Sequence, residues 1–154
     1  MTGGTTTGGM TRVFVPCDAA ALAVGADEVA AALADHATVV RTGSRGMFWL
    51  EPMIEVETDR GRIAYGPVEP SDVAGLLADG LLTGAAQRLR LGVPEGIPFL
   101  ARQTRLTFAR CGVVDPLSLD DYRAHGGMAG WEKARAMGAA AIIDIVTKSG
   151  LRGR

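Results

Sequence analysis

Apolar and polar positions divide this chain into two stretches of different rhythm. Arg12-Val-Phe-Val-Pro16 is a short apolar run closed by proline, which predicts a strand. Residues 18–24 read as a loop or opening turn. Residues 25–36 are alanine-rich, and Val29 and Leu33 form an apolar stripe at i, i+4, so they predict a helix. Asp27 and Glu28 fall in its first turn and His36 near its end, the polarity that a helix dipole favours. Residues 38–41 predict a second strand and residues 42–46 a tight glycine loop. Residues 50–58 alternate, Ile54 and Val56 against Glu55 and Glu57, as a half-exposed strand does. Asp59-Arg-Gly61 turns that strand into residues 62–65, an antiparallel hairpin. Gly66-Pro67 ends it. Pro70-Ser-Asp72 opens a helix through about residue 79, with Val73, Leu76 and Leu77 on one face.

Strand, helix, strand, loop, hairpin and closing helix together describe an α/β fold, a small thioredoxin-like sandwich over residues 11–82. Residues 1–10 are Gly/Thr-rich and read as a disordered tail. The rhythm breaks after residue 82. Gly84, Gly92, Pro94, Gly96 and Pro98 mark residues 83–114 as a connector, within which residues 98–110 alternate partly, as a strand or extended arm would. From residue 115 the pattern is helical. Ser118 stands as N-cap before Asp120 and Asp121, and a Gly126-Gly127 turn follows. Residues 131–137 form a second short helix and residues 139–148 a third, with Ile142, Ile143 and Val146 at helical spacing and Gly150 as its C-cap. Three short helices hold too little core to stand alone, so residues 115–154 read as the helical start of a larger, incomplete domain.

Composition narrows the function. A formal net charge of -1 argues against a nucleic-acid partner. No run of about 18 apolar residues offers membrane insertion, and the amino terminus lacks the basic and apolar regions of a signal peptide, so a cytoplasmic protein is expected. Two cysteines, Cys17 and Cys111, lie far apart and without a CxxC, which is too few thiolates for a metal cluster of this chain's own.

Residues 115–154 contain D-P-L-S-L-D-D-Y-R-A-H-G-G and end on S-G-L-R-G-R. They are similar to the approach to the flavin site in the FMN-carrying subunit of respiratory complex I, a subunit type shared with the diaphorases of NAD-dependent formate dehydrogenases and NAD-reducing hydrogenases. The earlier segments V-P-C-D-A-A-A-L-A-V-G-A-D-E-V, R-T-G-S-R-G-M-F-W-L-E-P and A-Y-G-P-V resemble the thioredoxin-like domain at the front of the formate dehydrogenase beta subunit. The first of them also resembles a thioredoxin-like [2Fe–2S] ferredoxin. Of that cysteine pattern the chain keeps only Cys17, so no cluster is expected in this domain.

The resemblance implies a fragment of the NAD/FMN-binding beta subunit, truncated where the FMN loop begins. Its parent would pass electrons from formate oxidation through iron–sulfur clusters and FMN to NAD+. The implied cofactors are FMN, NAD and a [4Fe–4S] cluster, their sites lying largely beyond residue 154. The implied partners are an iron–sulfur gamma-type subunit and the catalytic alpha subunit. Gly153 and Arg154 match the start of the FMN-binding loop, where backbone N–H groups approach a phosphate and arginine adds charge. No catalytic residue and no metal ligand is expected here, and the chain alone should be inactive. One alternative is the flavin subunit of an NADH–quinone oxidoreductase or a hydrogenase diaphorase. Another, of a different class, is a non-enzymatic thioredoxin-like docking module of a redox complex.

Other residues have quieter readings. Cys17 reads as a lone thiol rather than half of a redox pair. Cys111 reads as a small packing residue, His36 as a surface group and His125 as a structural residue before its turn. Residues 41–46 admit an anion site with two arginines. The favoured reading is a docking loop, because Met47, Phe48 and Trp49 beside it suit an interface. Trp131 is expected to pack in a core.

Overall fold

The computed structural model describes residues 9–153, so the greater part of the predicted tail, residues 1–8, and Arg154 lie outside the described residues. Two compact units part between Pro116 and Leu117.

The first unit is built on a five-stranded sheet. Its strands are β1 (Arg12–Pro16), β2 (Thr38–Thr42), β3 (Ile54–Thr58), β4 (Gly61–Tyr65) and β5 (Arg90–Gly92), in the order β2-β1-β3-β4-β5. β1 and β2 are parallel, with Phe14 opposite Val40. Their crossover holds two helices, α1 (Ala19–Leu22) and α2 (Ala26–Leu33). The other neighbours pair antiparallel, and β3 and β4 form the expected hairpin, Val56 opposite Ile63. A 3-10 turn, Pro70–Asp72, leads into α3 (Val73–Ala78). A parallel strand–helix–strand unit joined to a hairpin and a closing helix is the thioredoxin-like arrangement.

Alternation along the strands sorts the side chains to two faces. Val13, Val15, Ile54, Val56, Ile63 and Tyr65 point to one face and are buried against Val29 and Leu33 of α2 and Val73 and Leu76 of α3. Burying each such Val or Leu is worth about 1.5–3 kcal/mol, so this face carries most of the hydrophobic stabilisation. The opposite face presents Phe14, Glu55, Arg62 and Ala64. A smaller apolar cluster of Met47, Met53, Ala64 and Leu100 lies there.

Several expectations need correction. Residues 18–24 contain a helix, because Asp18 caps it: one carboxylate oxygen accepts from the N–H groups of Ala20 and Ala21 at 3.1 and 3.4 Å. The strand expected from residue 50 starts at Ile54, since Phe48–Leu50 is a 3-10 turn. The stretch read as connector contains β5, which extends the sheet. Residues 98–110 are neither strand nor arm. Pro98 occupies the first position of a short helix, α4 (Pro98–Ala101), and turns follow.

The second unit contains α5 (Leu119–Ala124), α6 (Ala129–Arg135) and α7 (Ala139–Ser149). Ser118 caps α5 as predicted, its hydroxyl accepting from Asp121 N–H at 3.1 Å. Gly150, at φ +70°, ends α7. Gly127 is required by contact: a β-carbon there would lie 2.4 Å from the Tyr122 carbonyl oxygen. No large apolar side chain among the described residues of this unit is buried. Trp131, expected in a core, is 62% exposed.

Candidate functional site

The loops after β1 and β2 meet at one end of the sheet, and the chemistry-bearing residues of the first unit gather below them. Cys17 follows β1, half-buried, with its N–H donated to the Thr42 carbonyl at 2.8 Å. Residues 43–46 carry Ser44 and Arg45 inward. The Ser44 hydroxyl donates to Glu51 Oε1 at 2.6 Å and accepts from Gly46 N–H at 2.9 Å, while Met53 N–H donates to Glu51 Oε2 at 2.8 Å. Glu51 is buried, and burial pushes its carboxyl above the usual range. The Ser44 and Met53 donors pull the other way, while the negative charges of Asp18 and Glu55 add to the rise.

Arg45 makes the deepest contact. Its Nε and Nη2 donate to the two oxygens of Glu55 at 2.7 and 2.8 Å, a bidentate pair, and its Nη1 reaches Glu95 at 2.9 Å. Side-chain exposure is 6% for Arg45 and 3% for Glu55. Burial lowers the Arg45 pKa, but its carboxylate partners outweigh that and the net direction is upward. Arg62 of β4 adds Nη1 to Glu55 Oε2 at 3.3 Å and lies over the Phe14 ring, 3.3 Å from its centroid. Its pKa is lowered, burial outweighing the pull of Glu55. Arg62 also holds the returning chain, donating to the carbonyls of Val113 at 2.7 Å and Gly112 at 3.4 Å. Gly112 sits at φ +77°, where a β-carbon would come within 2.6 Å of Arg45 Cδ.

The arginines of residues 41–46 thus serve protein groups. Arg41 donates to Asp27 at 2.7 Å and to the Pro16 carbonyl at 3.0 Å. With Arg45 on Glu55, the anion reading of this loop loses both guanidiniums. Met47, offered as part of a docking surface, is fully buried, whereas Phe48 and Trp49 are exposed. Cys111, expected to pack, is exposed. His36 is exposed, and His125 lies on its own helix turn, Nδ1 2.9 Å from the Asp121 carbonyl. Gly153 is exposed, and its predicted companion Arg154 lies outside the described residues.

An iron–sulfur cluster takes four cysteine thiolates as its usual ligand set. The chain has two cysteines in all, so the residues present do not fit one. Among the described residues no group of three or more His, Cys, Asp or Glu side chains could hold a metal ion. None of the described helices is long and apolar enough to cross a membrane. Sequence reasoning missed the Arg45–Glu55–Arg62 network. The available signal was Glu55, an acid on a strand flanked by apolar residues with an arginine across the hairpin.

Strand order and pairing thus define the class of the first unit, a thioredoxin-like α/β module. No family profile matches the chain. It is 45% identical over 53 residues to the NADP-reducing hydrogenase subunit HndC of Solidesulfovibrio fructosivorans, a stretch covering 34% of this chain and 11% of that protein. The chain therefore spans about a tenth of the length of this curated relative. Among solved structures it is similar to a thioredoxin-like [2Fe–2S] ferredoxin from Aquifex aeolicus, at 20% identity and a TM-score of 0.48 over 59% of this chain and 98% of the ferredoxin. A second structure, of the wild-type ferredoxin, gives 21% identity and a TM-score of 0.45 over 55% of this chain and 99% of the other.

Proposed function

We propose that this chain is the amino-terminal part of a flavin-carrying electron-transfer subunit. Its finer assignment is the NAD/FMN-binding beta subunit of an NAD-dependent formate dehydrogenase. The observation that carries the reading is the 45% identity to a NADP-reducing hydrogenase subunit. The second unit supports it: Trp131, Ile143 and Ile145 are 62%, 67% and 51% exposed, which suits helices that are covered by a larger domain. On this reading FMN supplies the chemistry between iron–sulfur electrons and NAD+. The flavin, nucleotide and [4Fe–4S] sites belong to the polypeptide past residue 154, with Gly153 and Arg154 opening the phosphate-binding loop. This chain's own share is positional, and its partners are the iron–sulfur and catalytic subunits of the same complex.

A second reading is the diaphorase of a hydrogenase, which the name of the HndC relative favours. The test begins with the source DNA across codon 154. An open frame running into a glycine-rich segment and a later cysteine cluster supports both readings, and a stop codon defeats both. The extended product, purified with its partner subunits, then separates them. Formate-dependent NAD+ reduction supports the first, and hydrogen-dependent reduction supports the second.

A further inference from the structure

The first unit carries an exposed apolar patch drawn from two distant segments. The 3-10 turn Phe48–Leu50 turns Phe48 and Trp49 outward, 62% and 61% exposed. α4 sets Phe99 edge-on to Trp49, centroids 5.0 Å apart and planes at 89°. The turns after α4 add Leu106 and Phe108, 82% and 63% exposed. Phe48, Phe99, Leu106 and Phe108 line a cleft of 820 Å³, with Arg45 and Arg105 among its polar residues. Soluble proteins rarely leave so many large apolar side chains together in water without a partner. The Trp49–Phe99 pair is already locked in an edge-to-face contact, so docking on it orders little that is not ordered.

Charge identifies the partner. Residues 97–109 contain Arg102 and Arg105 and no acidic residue, in a chain whose net charge is -1, and Arg105 lines the cleft. Glu95, just before this segment, is paired with Arg45 at 2.9 Å. Asp18, the acid that lines the cleft, caps α1 with one oxygen, and its other oxygen is buried without a hydrogen-bond partner, away from solvent. The patch therefore meets solvent as aromatic rings edged by arginine. We infer that this surface docks an acidic polypeptide segment, which seats an aromatic or leucine side chain in the cleft while its carboxylates meet Arg102 and Arg105. Two arginines make too short a track for a nucleic-acid backbone. This inference rests on the first unit alone and is independent of the flavin reading.

The test pans a random peptide display library on the whole chain. The same library is panned on Trp49→Ala with Phe99→Ala, and on Arg102→Glu with Arg105→Glu. Expected winners on the wild type combine Asp or Glu with Trp, Phe or Leu, and a synthetic winner binds the first variant about tenfold more weakly. The charge-reversed variant should lose those winners and select Lys/Arg-rich peptides instead. Circular dichroism shows whether both variants keep the wild-type fold. No enrichment, winners without an acidic bias, or binding to either variant as tight as to the wild type would overturn the inference. Tighter binding of oligothymidylate than of the best peptide overturns it in favour of nucleic acid. A wild-type dimer abolished by the aromatic variant overturns it in favour of a second copy.

Discussion

Glu55→Ala is the sharpest perturbation of this molecule. Three charge-assisted hydrogen bonds end on Glu55, two from Arg45 at 2.7 and 2.8 Å and one from Arg62 at 3.3 Å. Its side chain is 3% exposed and that of Arg45 6%, so water cannot replace what is lost. Glu95, the other carboxylate on Arg45, is 67% exposed and its attraction is screened by solvent. Removing one partner of such a buried pair costs about 3–5 kcal/mol, against a whole-domain stability of about 5–15 kcal/mol. Urea unfolding followed by far-ultraviolet circular dichroism should show a lower midpoint at unchanged slope, with a thermal midpoint lower by about 10–20 °C. Glu57→Ala, two residues along β3, is the control. Its partner Arg12 lies 3.5 Å away with both side chains more than two-fifths exposed, which predicts about 0–1 kcal/mol. If Glu55→Ala costs no more than Glu57→Ala, the reasoning fails. Arg45→Met combined with Glu55→Leu should restore much of the loss, since apolar packing replaces the most buried pair while Arg62 keeps the Val113 and Gly112 carbonyls.

Three further outcomes follow from the same geometry. Glu51 is held above the usual carboxyl range by burial, so the folded chain keeps a proton that the unfolded chain has lost; stability should fall as pH rises from the ordinary glutamate value through the raised one, and Glu51→Gln should flatten that slope in urea midpoints measured across the acidic range. A slope of the opposite sign would mean that Ser44 and Met53 outweigh burial. Gly112→Ala forces a left-handed backbone on a β-carbon that meets Arg45, and calorimetry should show a loss of about 1–3 kcal/mol. In the second unit no large apolar side chain among the described residues is buried, so brief trypsin treatment should cut at Arg123, Lys133, Arg135 and Lys148 before the arginines of β1, β2 and β4; simultaneous cleavage would show that the helices are as protected as the sheet.

Local chemistry was legible where one residue decides the matter. The Val29–Leu33 stripe, the Asp59–Gly61 hairpin, the Ser118 cap and the Gly150 terminator all depend on near neighbours, and each stands in the structure. What failed depends on partners remote in sequence. Alternation assigned Glu55 correctly to the face opposite Ile54 and Val56, but it carries no information on what covers that face. The cover comes from Arg45, ten residues away, and from Arg62 with the chain it holds, so a side chain expected to be half-exposed is buried. β5 spans three residues beside glycine, too short for any period, and exists through its pairing with Tyr65 and Ala64. Met47 reads as interface beside two aromatics, yet the turn that exposes Phe48 and Trp49 buries it. For the candidate site, the two cysteines could be counted without coordinates, but the ion pairs of Arg45 could not be read. The aromatic pairing of Trp49 with Phe99 joins residues fifty apart, and no local pattern announces it.

The arginine pair also bears on the order in which the fold can assemble. Arg45 reaches across 10 residues to Glu55 and 50 to Glu95, and Arg62 reaches 51 residues to Val113. These contacts require the hairpin to be formed and the chain after α4 to have returned, so loop-closure entropy is spent before they reward it. They are therefore expected to form on the late side of the folding barrier. Loosening them should speed unfolding far more than it slows folding, which makes this network a determinant of how long the native state lasts as well as of how deep its minimum lies.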